Sequence, residues 1–168
     1  MLTSPITAGA VEEERQFFDG VQARNVGPFR GGRAMVAVGV QQDPHVYYMG
    51  TTGGVWKTTN AGATWNPVSD DDFGTAAVGA IAVAPSDPNV VVVGMGESPF
   101  RNIASSQGDG VYKSTDAGKS WTHIGFRDVK QIGEIRIHPE NADVMWVAAQ
   151  GNTYQPGPNT GVYKTING

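Results

Sequence analysis

The chain of 168 residues contains no cysteine. Disulfide staples and thiolate metal centres are therefore excluded, and cysteine usage leaves the redox compartment open. Charged residues make up only 17% of the chain, and the net charge is −4. A charge-poor, weakly acidic chain has no general attraction for nucleic acid or for anionic lipid, so neither is an expected partner. No apolar run approaches membrane-spanning length, which argues against membrane insertion. The opening residues MLTSPITAGA lack both a basic start and an apolar stretch, and do not read as a signal peptide. No long stretch carries a helical period. Glycine is abundant instead, at 23 residues with 10 prolines, and Val, Thr and Tyr recur. That mixture points to an all-β chain with many tight turns. A hydrophobic content of 39% suffices for a packed core.

Internal repetition organises the chain. GVWKTTNAGATW runs from Gly54 to Trp65, GVYKSTDAGKSW from Gly110 to Trp121, and GVYKTING from Gly161 to Gly168. A second motif precedes each: VQQDPHV from Val40, APSDPNV from Ala84 and, more loosely, HPENADV from His138. Two motifs recurring three times in one order mark a repeat architecture.

Each unit reads as four short strands, A to D. The first gives Ala34–Val40, a turn at Asp43-Pro44, then Val46–Met49, Val55–Thr59 and Thr64–Val68. The second gives Ala80–Ala84, Val90–Met95, Val111–Thr115 and Ser120–Ile124. The third gives Glu134–His138, Val144–Ala149 and Val162–Ile166, without a fourth strand. Val90–Val93 is apolar on both faces, as a strand buried between two sheets must be. Four-stranded antiparallel sheets recurring about every 50 residues are β-propeller blades. The expected fold is thus all-β, with about three blades. Blade one covers residues 33–69, blade two 78–125 and an incomplete blade three 133–168. Residues 21–27 line up with the D strands as a lone strand, and residues 1–20 form a tail with at most one helical turn.

The hairpin between strands C and D carries a structural motif. Asp116 can accept hydrogen bonds from loop amides, Gly118 permits a positive φ, and Trp121 is expected to pack back onto its own blade. Asn60, Gly62 and Trp65 take the same places in the first unit. A residue repeated in every unit serves the unit, so these positions read as scaffold.

These motifs, with GPFRGGR from Gly27 and HPENADVMWVAAQG from His138, resemble the Asp-box (BNR-repeat) propeller superfamily. The similarity is greatest to bacterial sortilin-like proteins called BNR-repeat glycosyl hydrolases. The superfamily also includes sialidases, xyloglucan-active hydrolases and photosystem II assembly factors. The resemblance implies Asp boxes in the C–D hairpins, a secreted or periplasmic bacterial protein, and a three-blade portion of a longer propeller. Sialidases of this group carry an Arg-Ile-Pro motif, which is missing here. Its xyloglucan-active members carry an aspartate in Thr-Asp-Ile-Gly-Gly, and the matching stretch Thr51-Thr52-Gly53-Gly54 has no carboxylate. Glycoside hydrolysis ordinarily uses a carboxylate pair, so no catalytic residues are assigned and an enzyme is the less expected reading. No cofactor is expected. His45, His123 and His138 fall in separate units, and Asp70–Asp72 reads as a solvated acidic turn rather than a Ca²⁺ loop, so no metal site is assigned.

Loop lengths separate two faces. The A–B turns keep one length, whereas the stretches Val46 to Gly54, Val90 to Gly110 and Val144 to Gly161 differ widely. Variation on one face of a repeat protein marks a recognition face. That B–C/D–A loop face collects Arg30, Arg33, Glu97, Arg101, Asn102, Arg127 and Tyr154, the candidate binding residues. The expected function is a non-catalytic scaffold for a protein or peptide partner, the alternative a carbohydrate-binding or hydrolase-related fragment. Three blades cannot close a ring, so self-association is also expected, as a dimer completing six blades with Val21–Val26 finishing the partner's third blade.

Overall fold

The computed structural model describes residues 32–97, 106–150 and 159–168, all within the unit Gly31–Gly168. The expected tail, the strand at 21–27, and the candidates Arg30, Arg101, Asn102 and Tyr154 lie outside the described residues.

Eleven strands and no helix are found among the described residues. The first sheet has strands β1 (Ala34–Val40), β2 (Asp43–Thr51), β3 (Gly54–Thr58) and β4 (Asn66–Pro67). The second has β5 (Val78–Ala84), β6 (Asp87–Met95), β7 (Val111–Ser114) and β8 (Thr122–Gly125). The third has β9 (Ile132–His138), β10 (Asn141–Ala149) and β11 (Gly161–Thr165). Every neighbouring pair is antiparallel, and each sheet keeps chain order.

Two expectations need correction, and a third needs extending. The A–B turns fall at residues 41–42, 85–86 and 139–140, so Asp43-Pro44 opens β2 instead of forming the turn. The Asp43 carboxylate accepts from His45 N at 2.9 Å, and Asp87 accepts from Asn89 N at 2.9 Å. The side chain thus braces the strand entry, as Asx geometry does just after a turn. Strand D of the first unit shrinks to Asn66–Pro67, because Pro67 has no N–H for the ladder. Trp121 lies over Gly118 of its own hairpin, where a Cβ would stand 3.3 Å from Cζ2, and it also reaches across to the neighbouring sheet. It is buried against the first sheet, and its indole Nε1 donates to Val68 O at 2.6 Å.

The second sheet lies between the other two, and a hydrophobic core fills each gap. Val36, Val38, Val40, Tyr48 and Val55 meet Ile81, Val91, Val93 and Met95 on one side. On the other side, Ala80, Ala82, Ala84, Val90 and Val92 meet Ile132, Ile135, Met145 and Val147. Alternate residues of β6 face opposite cores, which explains its continuous apolar run. Val91, Val92 and Val93 are fully buried, and each contributes about 1.5–3 kcal/mol of burial. Glycine sets the sheet spacing. A Cβ on Gly94 would lie 2.3 Å from Ile132 Cγ2, and one on Gly50 would lie 2.5 Å from Val78 Cγ1.

Candidate functional site

The two ends of the sheets are built differently. At one end the A–B turns and C–D hairpins are locked by repeated hydrogen bonds. Ser114 Oγ donates to Asp116 Oδ1 at 2.8 Å, as Thr58 Oγ1 does to Asn60 Oδ1 at 2.9 Å and Thr165 Oγ1 to Asn167 Oδ1 at 2.9 Å. Gly118 N and Gly62 N donate back to those hydroxyls in the first two hairpins. Asp116 also accepts from Lys119 N, Ser120 N and Ser120 Oγ. The Ser120 hydroxyl and amide, then Ser114, hold its carboxyl well below the usual carboxylate range. Ala61, Ala117 and Gly168 occupy left-handed backbone (φ 55, 60 and 66). Their amides donate to the carbonyls of His45, Asn89 and Asp143. Each hairpin is thereby tied to the strand beginning after its own A–B turn.

The hairpin of the second sheet also receives side chains from the first. Tyr48 Oη and Lys57 Nζ both donate to Ala117 O, at 2.9 and 2.8 Å. Burial, with the nearby Asp116 charge adding to it, pushes the Tyr48 phenol up to about 12. Burial also lowers the Lys57 ammonium, reinforced by Lys119 and opposed by Asp116. Sequence reasoning passed over Lys57, although the repeated Lys57, Lys113 and Lys164 of the GV(W/Y)K motif were its signal.

The opposite end holds the candidate binding residues. Arg33, at the entrance to β1, reaches across to Glu97, which follows β6. Arg33 Nε donates to Glu97 Oε1 at 3.1 Å, and Nη2 donates to the same oxygen. The Glu97 side chain is buried, while that of Arg33 is 50% exposed. Glu97 Oε2 accepts from Ser106 N at 3.3 Å, and Glu97 N donates to Ser106 O at 2.8 Å. Thr52 Oγ1 accepts from Arg33 N at 3.1 Å. The pair therefore joins two sheets and anchors the loop beyond β6.

A second network, missed in the sequence, centres on Asp109. It accepts from Tyr112 Oη at 2.7 Å and from Thr75 Oγ1 at 3.1 Å, while Gly74 N donates to Tyr112 Oη at 3.1 Å. Burial raises the Tyr112 phenol, and the nearby Arg127 charge partly offsets this. Arg127 is exposed on the loop after β8, and its charge reaches Tyr112 in this network. A cleft of about 310 Å³ opens here, lined by Gly53, Ser69, Asp70, Phe73 and Thr75 among others. No three His, Asp or Glu side chains among the described residues gather as metal ligands do. His45, His123 and His138 sit on different sheets.

No family model matches the chain, and no curated protein matches it. Solved structures do. An ancestral GH74 enzyme superposes with a TM-score of 0.62 at 20% identity, covering 84% of this chain and 18% of that one. The GH74 enzyme of Niastella koreensis gives 0.58 at 20%, covering 76% and 19%. The GH74 xyloglucanase of Xanthomonas campestris gives 0.57 at 20%, covering 86% and 22%. These are propeller proteins. The three sheets are β-propeller blades. The chain spans about a fifth of the length of these enzymes. Its B–C connections, at residues 52–53, 96–110 and 150–160, leave the blades on the face that holds Arg33 and Glu97.

Proposed function

We propose that the chain is a propeller scaffold receiving a protein or peptide on its B–C/D–A loop face. The junction of Arg33 with Glu97 carries this reading. A buried carboxylate fixes the guanidinium where two blades meet, and half of that side chain still faces water. A pre-oriented arginine can present its remaining N–H groups to a ligand carboxylate or carbonyl at little ordering cost. Two carboxylates of this face have structural tasks: Glu97 holds Arg33, and Asp109 holds Tyr112 and Thr75, while Asp70 lines the cleft. Such committed groups suit a binding surface better than proton transfer.

A displayed peptide library selected against the chain tests this. Enriched binders are expected to lose affinity with Arg33→Ala or Arg127→Ala and to keep it with Gln42→Ala on the opposite face. Binders indifferent to both arginine changes would sink the proposal. A carbohydrate reading is favoured by the cleft lined by Phe73, Ser69, Asp70 and Thr75, since a ring beside polar groups suits a sugar. Retention of xyloglucan oligosaccharides on a glycan array, without selected peptides, would decide for it.

A further inference from the structure

We propose that Lys57 is a covalent acylation site, taking short acyl groups from acyl phosphates that enter the groove between blade one and the C–D hairpin of blade two. The chain has five lysines: Lys57, Lys113, Lys119, Lys130 and Lys164. Their settings differ. Lys113 faces the carboxylate of Asp143 at 3.5 Å. Lys164 is exposed and lies over the Trp146 ring, and Lys119 is exposed on the hairpin. Lys57 is part-buried where two blades meet, and the acceptor of its Nζ is a neutral carbonyl, Ala117 O, at 2.8 Å.

That setting does not require a positive charge. Among the described residues no carboxylate comes within ion-pair distance of Lys57. A carbonyl oxygen has two lone pairs, and at Ala117 one serves Tyr48 Oη and the other Lys57 Nζ. A neutral amine keeps this bond, because it needs only one N–H, and its nitrogen lone pair is then available to attack carbon. Burial lowers the Lys57 ammonium first, the Lys119 charge lowers it further, and Asp116 partly opposes both. Asp43 lines a smaller cavity of about 190 Å³ that also reaches Lys57, but its carboxylate already accepts from His45 N. Asp70, Asp71 and Asp72 line the groove outside ion-pair reach. A lysine desolvated beside another cation is the usual form of an activated amine nucleophile.

The groove supplies the room. It holds about 490 Å³, with Lys57, Pro67, Val68, Gly118 and Lys119 among its walls, a volume in the range of small-molecule sites. Lys119 offers a cation to the phosphate of the donor. In the reaction the Lys57 nitrogen attacks the acyl carbon and a C–N bond forms. The C–O bond to phosphate breaks, inorganic phosphate leaves with the electron pair, and the surplus amine proton passes to water. The resulting amide retains one N–H for Ala117 O, so the join between the blades is kept while its positive charge is lost.

Labelling of the whole folded chain with acetyl phosphate, followed by peptide mass spectrometry of all five lysines, tests this. Lys57 is expected to react at least about threefold faster than the better exposed Lys119. The same labelling in urea should abolish the preference, because the fold creates it. Lys119→Gln removes the neighbouring cation and should slow Lys57 by about twofold. The Lys119 side chain is exposed, so circular dichroism should not change. Equal labelling of Lys57 and Lys119 in the folded chain would overturn the proposal. So would a preference that persists in urea, or a Lys57 rate unmoved by Lys119→Gln.

Discussion

Replacing Trp121 by Ala should be among the most damaging single changes in the chain, and its size can be worked from the structure. The side chain is 8% exposed and sits in the core between blades one and two. Its ring meets Phe73 edge-on at 5.3 Å, and its Nε1 donates to Val68 O. Truncation removes the ring and leaves a cavity, worth about 3–5 kcal/mol for a buried tryptophan. It also strips Val68 O of that donor, within the same total. Trp65 supplies the internal control. It occupies the same hairpin position over Gly62, but is part-exposed and has no preceding blade among the described residues. Trp65→Ala should cost about 1 kcal/mol, like other changes away from a core. Urea unfolding of both variants measures the difference. Equal costs, or a Trp121 cost below about 1 kcal/mol, would refute the claim that this residue welds two blades.

Gly94→Ala should destabilise by about 1–3 kcal/mol through the clash with Ile132, with urea denaturation as the check. Asp116 has a folded pKa below its ordinary 3.8, so its contribution is complete above that value and fades as pH falls below it towards the depressed one. Asp116→Asn should flatten the acid limb of a melting-temperature profile, and an unchanged acid limb would count against the loop's bonding. Tyr48 ionises at about 12 when folded against 10.0 ordinarily, so its contribution is complete below pH 10 and fades as pH rises towards 12. Tyr48→Phe should remove the highest-pH step from a phenolate absorbance titration.

Strand positions were legible because the core-facing alternation of β1, β5 and β9 and the GV(W/Y)K motif carry local information. The site was less so. Arg33 and Glu97 could be placed on one face from loop lengths, but their partnership could not. Arg33 and Glu97 are far apart in sequence and meet only because two blades stack. The reach of Trp121 to blade one was hidden for the same reason: hairpin chemistry sets the ring over Gly118, whereas packing between sheets decides what else it touches. Pro67 announced its effect in advance, since a residue without N–H ends a ladder, yet the repeat pattern overrode that signal.

The stacking order bears on how the molecule comes apart. Blade two contributes one face to each core, so losing either outer blade exposes half of its buried surface at once. Unfolding should therefore proceed from the ends inward, with the middle sheet as the last cooperative unit. Amide protons of β6 would then exchange at the global rate, while those of β2 and β10 exchange through separate, cheaper openings. A molecule wired in this way can release one outer blade while the middle sheet stays folded.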